Sequence, residues 1–183
     1  EKLGFLDAAT RARVMEVIER ELGYQTVKTV HNPKSFSSFL KYDCIRLCRE
    51  EPDWKNAVRL SAEPLLKRGF IEECYVENMI GFIGEQGFYA VSDDSFALLH
   101  GKGVEGIHQT SLSLLITETP VHFGEKKVRV IFCLASKDSK EHIPAVVTLM
   151  RMVKTTGLIR ELEASRTEEE AYQSVLNCEF EVL

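Results

Sequence analysis

Ser95-Phe96-Ala97-Leu98-Leu99-His100-Gly101-Lys102-Gly103 is an apolar stretch that ends in one imidazole and a glycine-flanked loop. The apolar run before His100 predicts a strand anchored in a sheet, while Gly101 and Gly103 let the chain turn and let another surface come close. The imidazole is then expected at the rim of the sheet. A histidine at a strand end is more often structural than reactive, so the rest of the chain has to decide what this one does.

Outward from this stretch, Phe88 to Val91, Leu112 to Ile116 and Val128 to Leu134 are further short apolar or β-branched runs separated by turn residues, which predicts strands. Upstream, Asp53 caps a helix with Trp54, Ala57, Val58, Ser61 and Leu65 on one face and Gly69 as its stop. A second helix, Glu73 to Ile83, presents Tyr75, Met79, Phe82 and Ile83. Downstream, Asp138-Ser139-Lys140-Glu141 has the form of a capping box, which puts His142 in the first turn of a helix. Pro144 is tolerated in that turn, and Val146, Val147, Met150 and Val153 supply the apolar face. Leu158 to Ala164 and Thr167 to Leu176 read as two more helices. The acidic run Glu168-Glu169-Glu170 complements the dipole of the second and needs no partner. Helices on both sides of a block of strands predict a layered α/β or α+β domain.

At the amino end, Asp7 to Leu22 predicts another helix, with Val14, Ile18 and Leu22 in register and Gly23 as a stop. The polar stretch His31-Asn32-Pro33-Lys34-Ser35 is the best boundary, since a proline disfavours helix at the residue before it. The chain therefore divides into 1–34, a helix and joint, and 35–183, the main domain. It begins at Glu1 rather than Met, which fits a piece of a longer polypeptide.

Composition narrows the function. With 183 residues and 44% hydrophobic content the chain can close one sizeable core. The net charge of -5 and the lack of a basic patch interleaved with aromatics argue against direct nucleic-acid contact. No apolar run approaches the roughly 20 residues of a membrane span, so no membrane insertion is expected. Cys44, Cys48, Cys74, Cys133 and Cys178 are odd in number and lack CxxC spacing; they predict free core thiols and a reducing, cytoplasmic setting.

His100 and His142 both fall at element ends on one expected edge of the sheet. A neutral imidazole is a nucleophile near neutral pH and can accept a phosphoryl group. A helix start beside His142 would favour the phosphate through its unpaired amides and dipole. Neither histidine has ligand-spaced Cys, Asp or Glu neighbours, so no metal is expected. Gly101-Lys102-Gly103 lacks the spacing of a nucleotide-binding loop, and no cofactor is implied. Asp93-Asp94 reads as a solvated turn, His108 and His122 as solvent-facing loop residues, and His31 as part of the joint.

The ordered set Asp53-Trp54, Ala57, Gly69 with Ile71, Tyr75, Met79, Gly87-Phe88-Tyr89, Ala97-Leu98-Leu99-His100, Ser113-Leu114, Pro120-Val121 with Phe123-Gly124, Leu134-Ala135, Asp138, Glu141-His142 and Leu149 resembles the enzyme IIA domain of the bacterial sugar phosphotransferase system, mannitol/fructose type. Within it, the chain is most similar to the ascorbate-like and regulator-borne branch. The resemblance spans roughly Phe36 to Leu176. It implies an α/β fold with a mixed sheet of about four to five strands flanked by helices on both faces. It also implies that His100 accepts phosphate from the carrier protein HPr, that His142 helps hold it, and that a IIB domain is a possible receiver. Leu99, Gly101, Lys102 and Gly103 are then the expected partner loop. Leu99 replaces the family's proline, and Asp94-Ser95 replace a glycine-containing turn. These departures, with the extra amino-terminal helix, favour the regulatory domain of a sugar-responsive transcription regulator. The alternatives are a stand-alone IIA transport subunit and a noncatalytic IIA-like interaction module.

Overall fold

A computed structural model describes residues 35–88, 90–92, 95–138 and 140–183. The expected helix Asp7 to Leu22, the joint with His31, and Asp93-Asp94 lie outside the described residues. The described chain opens with α1 (Phe36–Phe39) and β1 (Leu40–Cys48), followed by α2 (Trp54–Lys67) and α3 (Glu73–Gln86). Three strands come next: β2 (Phe96–Leu99), β3 (Ser111–Phe123) and β4 (Lys126–Ala135). Helices α4 (Ile143–Thr155), α5 (Leu158–Ala164) and α6 (Glu168–Val182) close the chain.

The sheet has four strands in the order β1-β3-β4-β2. β3 and β4 form an antiparallel hairpin at its centre, with β1 parallel to β3 and β2 parallel to β4 outside them. The hairpin turns at Gly124, where φ is +63° and a Cβ would meet the Phe88 ring at 3.2 Å. Adjacent residues of a strand point to opposite faces, and β4 shows where each helical layer lies. Cys133 Sγ is 3.7 Å from Met79 Sδ of α3, while the neighbouring Phe132 ring meets Phe36 of α1 edge-on at 6.0 Å. Ser113, the register partner of Cys133, bonds the Ser61 carbonyl of α2. Helices α2 and α3 therefore cover one face, and α1, with the helices α4 and α6 that pack on it, covers the other.

Local chemistry accounts for most element ends. The Asp53 carboxylate accepts the Asn56 amide at 2.9 Å to cap α2, and Thr167 does the same for the Glu170 amide on α6. Gly87, at φ +70°, closes α3 in the left-handed conformation that glycine adopts without steric cost. By contrast, α1 has no side-chain cap of its own, and the buried Glu179 of α6 accepts the Ser37 amide at 3.2 Å.

Two expectations change, and one strand and one contact are added. β1 was not anticipated because its burial does not alternate: its register shifts between Leu40 and Ile45, so the period of two is broken. Phe88, Ala90 and Val91, expected in a strand, do not form one. Phe88 follows Gly87 in a second left-handed conformation, φ +60°, and only an isolated bridge from Val91 to Ala97 survives. β3 runs on to Phe123, which makes His122 an exposed strand residue opposite Lys127 rather than a loop residue. Beyond complementing the helix dipole, Glu168 accepts the Leu47 amide at 3.3 Å and so satisfies a donor on edge strand β1.

Candidate functional site

His100 leaves the carboxyl end of β2, whose four residues are all buried. Leu98 donates its amide sideways to the Ala90 carbonyl at 2.9 Å, so the next amide, that of Leu99, faces β4. Leu99 itself is 0% exposed, so of the four loop residues expected to meet a partner only Gly101, Lys102 and Gly103 reach the surface. The half-buried His100 ring stands edge-on to Phe82 of α3, 6.2 Å between centroids. Its Nδ1 is 3.4 Å from the Leu98 carbonyl, an acceptor to which that nitrogen can donate when it carries the ring proton.

The loop after His100 is held by α3. The Gly101 amide donates to the Tyr75 hydroxyl at 3.0 Å, and that hydroxyl donates to the Leu134 carbonyl of β4 at 2.9 Å. The Lys102 amide donates to Asn78 Oδ1 at 2.8 Å. Burial pushes the Tyr75 hydroxyl far above the usual phenol range, so it stays a neutral donor at any working pH. Gly101 is required by proximity rather than by backbone angle: a Cβ there would lie 2.6 Å from Asn78 Oδ1 and 2.8 Å from Tyr75 Cε2. Gly103 has open space but φ +78°, so there the need is conformational. Further along, the Glu72 amide donates to the Gly106 carbonyl at 2.8 Å, and exposed His108 pairs with Glu72 at 2.7 Å.

His142 is reached by a different route. The turn after β4 is built on Asp138, whose Oδ1 accepts the Lys140 amide at 2.7 Å and the Glu141 amide at 2.6 Å. Those two bonds hold the Asp138 carboxyl below its ordinary value. The capping box was expected to open the helix at this point. Instead Asp138 caps only the turn, and α4 begins at Ile143 with His142 as its N-cap rather than in its first turn. His142 Nδ1 lies 2.7 Å from Ser136 Oγ. Burial pulls the pKa of its half-buried ring below the usual imidazole value, against the carbonyl and the charge of Asp138.

The sheet brings the two histidines to one end. Leu99 is the register partner of Cys133, so His100 and Ser136 leave the carboxyl ends of neighbouring parallel strands. Tyr75 ties the His100 loop to Leu134, and the Lys137 amide donates to Thr110 Oγ1 at 3.0 Å, tying the His142 turn to the start of β3. Tyr75, Asn78, Thr110 and Ser136 were not anticipated as site residues. Tyr75 reads as one more apolar position of its helix, and the signal that sets it apart, a hydroxyl on a buried face, has meaning only once its acceptor is known. All five thiols are free, and Cys133 is pushed up to about 12 by burial, which leaves it inert. Cys74 alone is exposed.

The arrangement is an α/β domain with two imidazoles where β2 and β4 end and glycines in the loop beside one of them. The chain belongs to the family described as phosphoenolpyruvate-dependent sugar phosphotransferase system, EIIA 2, whose model matches residues 38–178. It is 24% identical to the ascorbate-specific PTS system EIIA component of Mycoplasma pneumoniae, over 69% of this chain and 82% of that relative. Among solved structures, it resembles the mannitol-specific cryptic phosphotransferase enzyme IIA CmtB from Escherichia coli, with TM-score 0.70 and 20% identity over 78% of this chain and 99% of the other. The mannitol IIA in complex with phosphorylated IIB, also from Escherichia coli, matches with TM-score 0.66 and 21% identity over 75% of this chain and 99% of the other. No helix among the described residues is long and apolar enough to cross a membrane.

Proposed function

We propose that this domain accepts a phosphoryl group on His100 Nε2 from the phosphohistidine of HPr, in the cytoplasm, with His142 holding the group once transferred. The observation that carries the reading is the shared end of β2 and β4, where both histidines emerge from loops tied to the same strand. In the transfer, the N–P bond on the donor ring breaks as the Nε2–P bond forms. The donor departs as a neutral imidazole, and His100 becomes a protonated phospho-imidazole whose Nδ1–H faces the Leu98 carbonyl. Oriented contact of two protein surfaces supplies most of the rate, because phosphoryl transfer depends on positioning more than on covalent help.

The test is incubation with phosphoenolpyruvate, enzyme I and HPr. Acid-labile phosphate should appear on the protein and be lost in His100→Ala; uptake by that variant would sink the assignment. His142→Ala should label more weakly. A domain that folds but takes no label would instead be the noncatalytic interaction module.

Leu99 in place of the family's proline, and residues 1–37 ahead of the matched region, support the setting of a regulatory domain in a sugar-responsive transcription regulator. The similarity to ascorbate-specific EIIA components supports the other setting, a transport subunit that passes phosphate to a IIB domain. Rapid transfer of label from the phosphorylated domain to a IIB domain separates the second setting from the first.

A further inference from the structure

We propose that Ser136 is a positioning residue that fixes the tautomer of His142, accepting the Nδ1 proton and leaving Nε2 as the nitrogen turned to the site. The argument is one of proton counting. A serine hydroxyl has a single proton to donate. Ser136 Oγ lies 2.5 Å from the backbone carbonyl oxygen of Asp138, which can only accept, so the hydroxyl proton is committed there. Ser136 Oγ also lies 2.7 Å from His142 Nδ1 and, with no second proton, can meet that nitrogen only as an acceptor. Nδ1 must therefore carry the ring proton.

The consequence bears on the proposed function and rests on that reading. A neutral His142 offers Nε2 as a lone pair and cannot donate to a phosphoryl oxygen. Donation requires the imidazolium, so holding a phosphoryl group on His100 takes up one proton from solvent onto Nε2, with no N–P bond formed at His142. Burial keeps the ring neutral beforehand, and the charged group acting on it is the Asp138 carboxylate. Ser136 thus leaves His142 without a donor toward the site until an anion is opposite it.

Imidazole nitrogen spectra of the full chain, labelled with nitrogen-15 histidine and recorded at pH 8 without phosphate donor, test the tautomer directly. Wild type should show His142 protonated on Nδ1 and bare on Nε2. Ser136→Ala should make the Nε2–H form the major species, while Ser136→Thr, which keeps the hydroxyl, should restore the wild-type pattern; the backbone amide spectrum reports whether each variant is folded. An Nε2–H tautomer in wild type, or an unchanged pattern in folded Ser136→Ala, overturns the proposal. Adding phosphoenolpyruvate, enzyme I and HPr separates the two ideas. Absence of label on His100 removes the reading of function and leaves the tautomer result standing. Label on His100 with His142 still single-protonated refutes the proton uptake.

Discussion

The His100 loop and the His142 turn end up side by side but are held by different means. The His100 loop is fastened by a neighbouring helix: Tyr75 and Asn78 reach it from α3, the Glu72 amide bonds Gly106 from the cap of that helix, and Gly101 is small because Tyr75 and Asn78 press on it. The His142 turn is fastened mainly by itself, through Asp138 and Ser136 within a few residues of the imidazole, with one outside tie from the Lys137 amide to Thr110. The first is a tertiary construction and should fail when packing fails. The second is local turn chemistry, in which a short polar side chain bonds the backbone just ahead of it, and should survive distant changes.

The largest effect is expected on the His100 side. Leu99→Ala removes a fully buried side chain beneath the loop and should cost about 2–5 kcal/mol of stability, read as a lower urea midpoint. A loss below about 1 kcal/mol would mean that β2 collapses around the gap and is not a rigid base. Next comes Gly101→Ala, whose Cβ collides with Asn78 and Tyr75. Overpacking of this kind costs about 1–3 kcal/mol. The displaced imidazole should be phosphorylated by HPr about a hundredfold more slowly. An unimpaired rate would show that the loop is free to move off α3.

Tyr75→Phe sharpens the contrast. It leaves the Gly101 amide and the Leu134 carbonyl without their shared partner, a loss of about 1–3 kcal/mol. Amide exchange at Gly101 should accelerate while Lys140 and Glu141, bonded to Asp138, keep their protection. Asp138→Ala should do the reverse. Equal loosening of both sites in either variant would make them one unit and end the comparison.

The smallest expected effect is a pH dependence from the His142 turn. The folded ring has a lowered pKa, so between that value and the ordinary one, about 6.5, the unfolded chain binds more protons than the folded one. The contribution of His142 is therefore complete above the ordinary imidazole range and is lost as pH falls through it. Asp138, also lowered, contributes above the ordinary carboxylate value and is lost at more acid pH. Urea midpoints measured from pH 8 to pH 5 should decline, and His142→Gln should flatten that decline.

How much was legible in the sequence follows the same division. Asp53 and Thr167 announced the starts of α2 and α6 because a cap acts on amides within its own turn. The apolar run before His100 read as a strand because buried strands need no alternation. β1 was silent because its irregular register erased the alternating signature, and Phe88 to Val91 misled because an apolar run says nothing of a left-handed backbone angle. Asp138 was recognised as a cap, yet what it caps is a turn; the helix begins later, and only the chain's path shows where.

By itself the sequence singled out two imidazoles and the local devices around them: a strand that ends, a glycine that follows, an aspartate that holds two amides. Tertiary structure alone decided that β2 lies parallel beside β4, so that both imidazoles emerge at one end of the sheet. It also decided that a tyrosine hydroxyl from α3 joins the two strand ends. The physical reason is range. Caps and turns act over a few residues and are written into their neighbours, whereas strand order and a buried hydrogen bond between Tyr75 and Leu134 unite positions that only the folded core brings together.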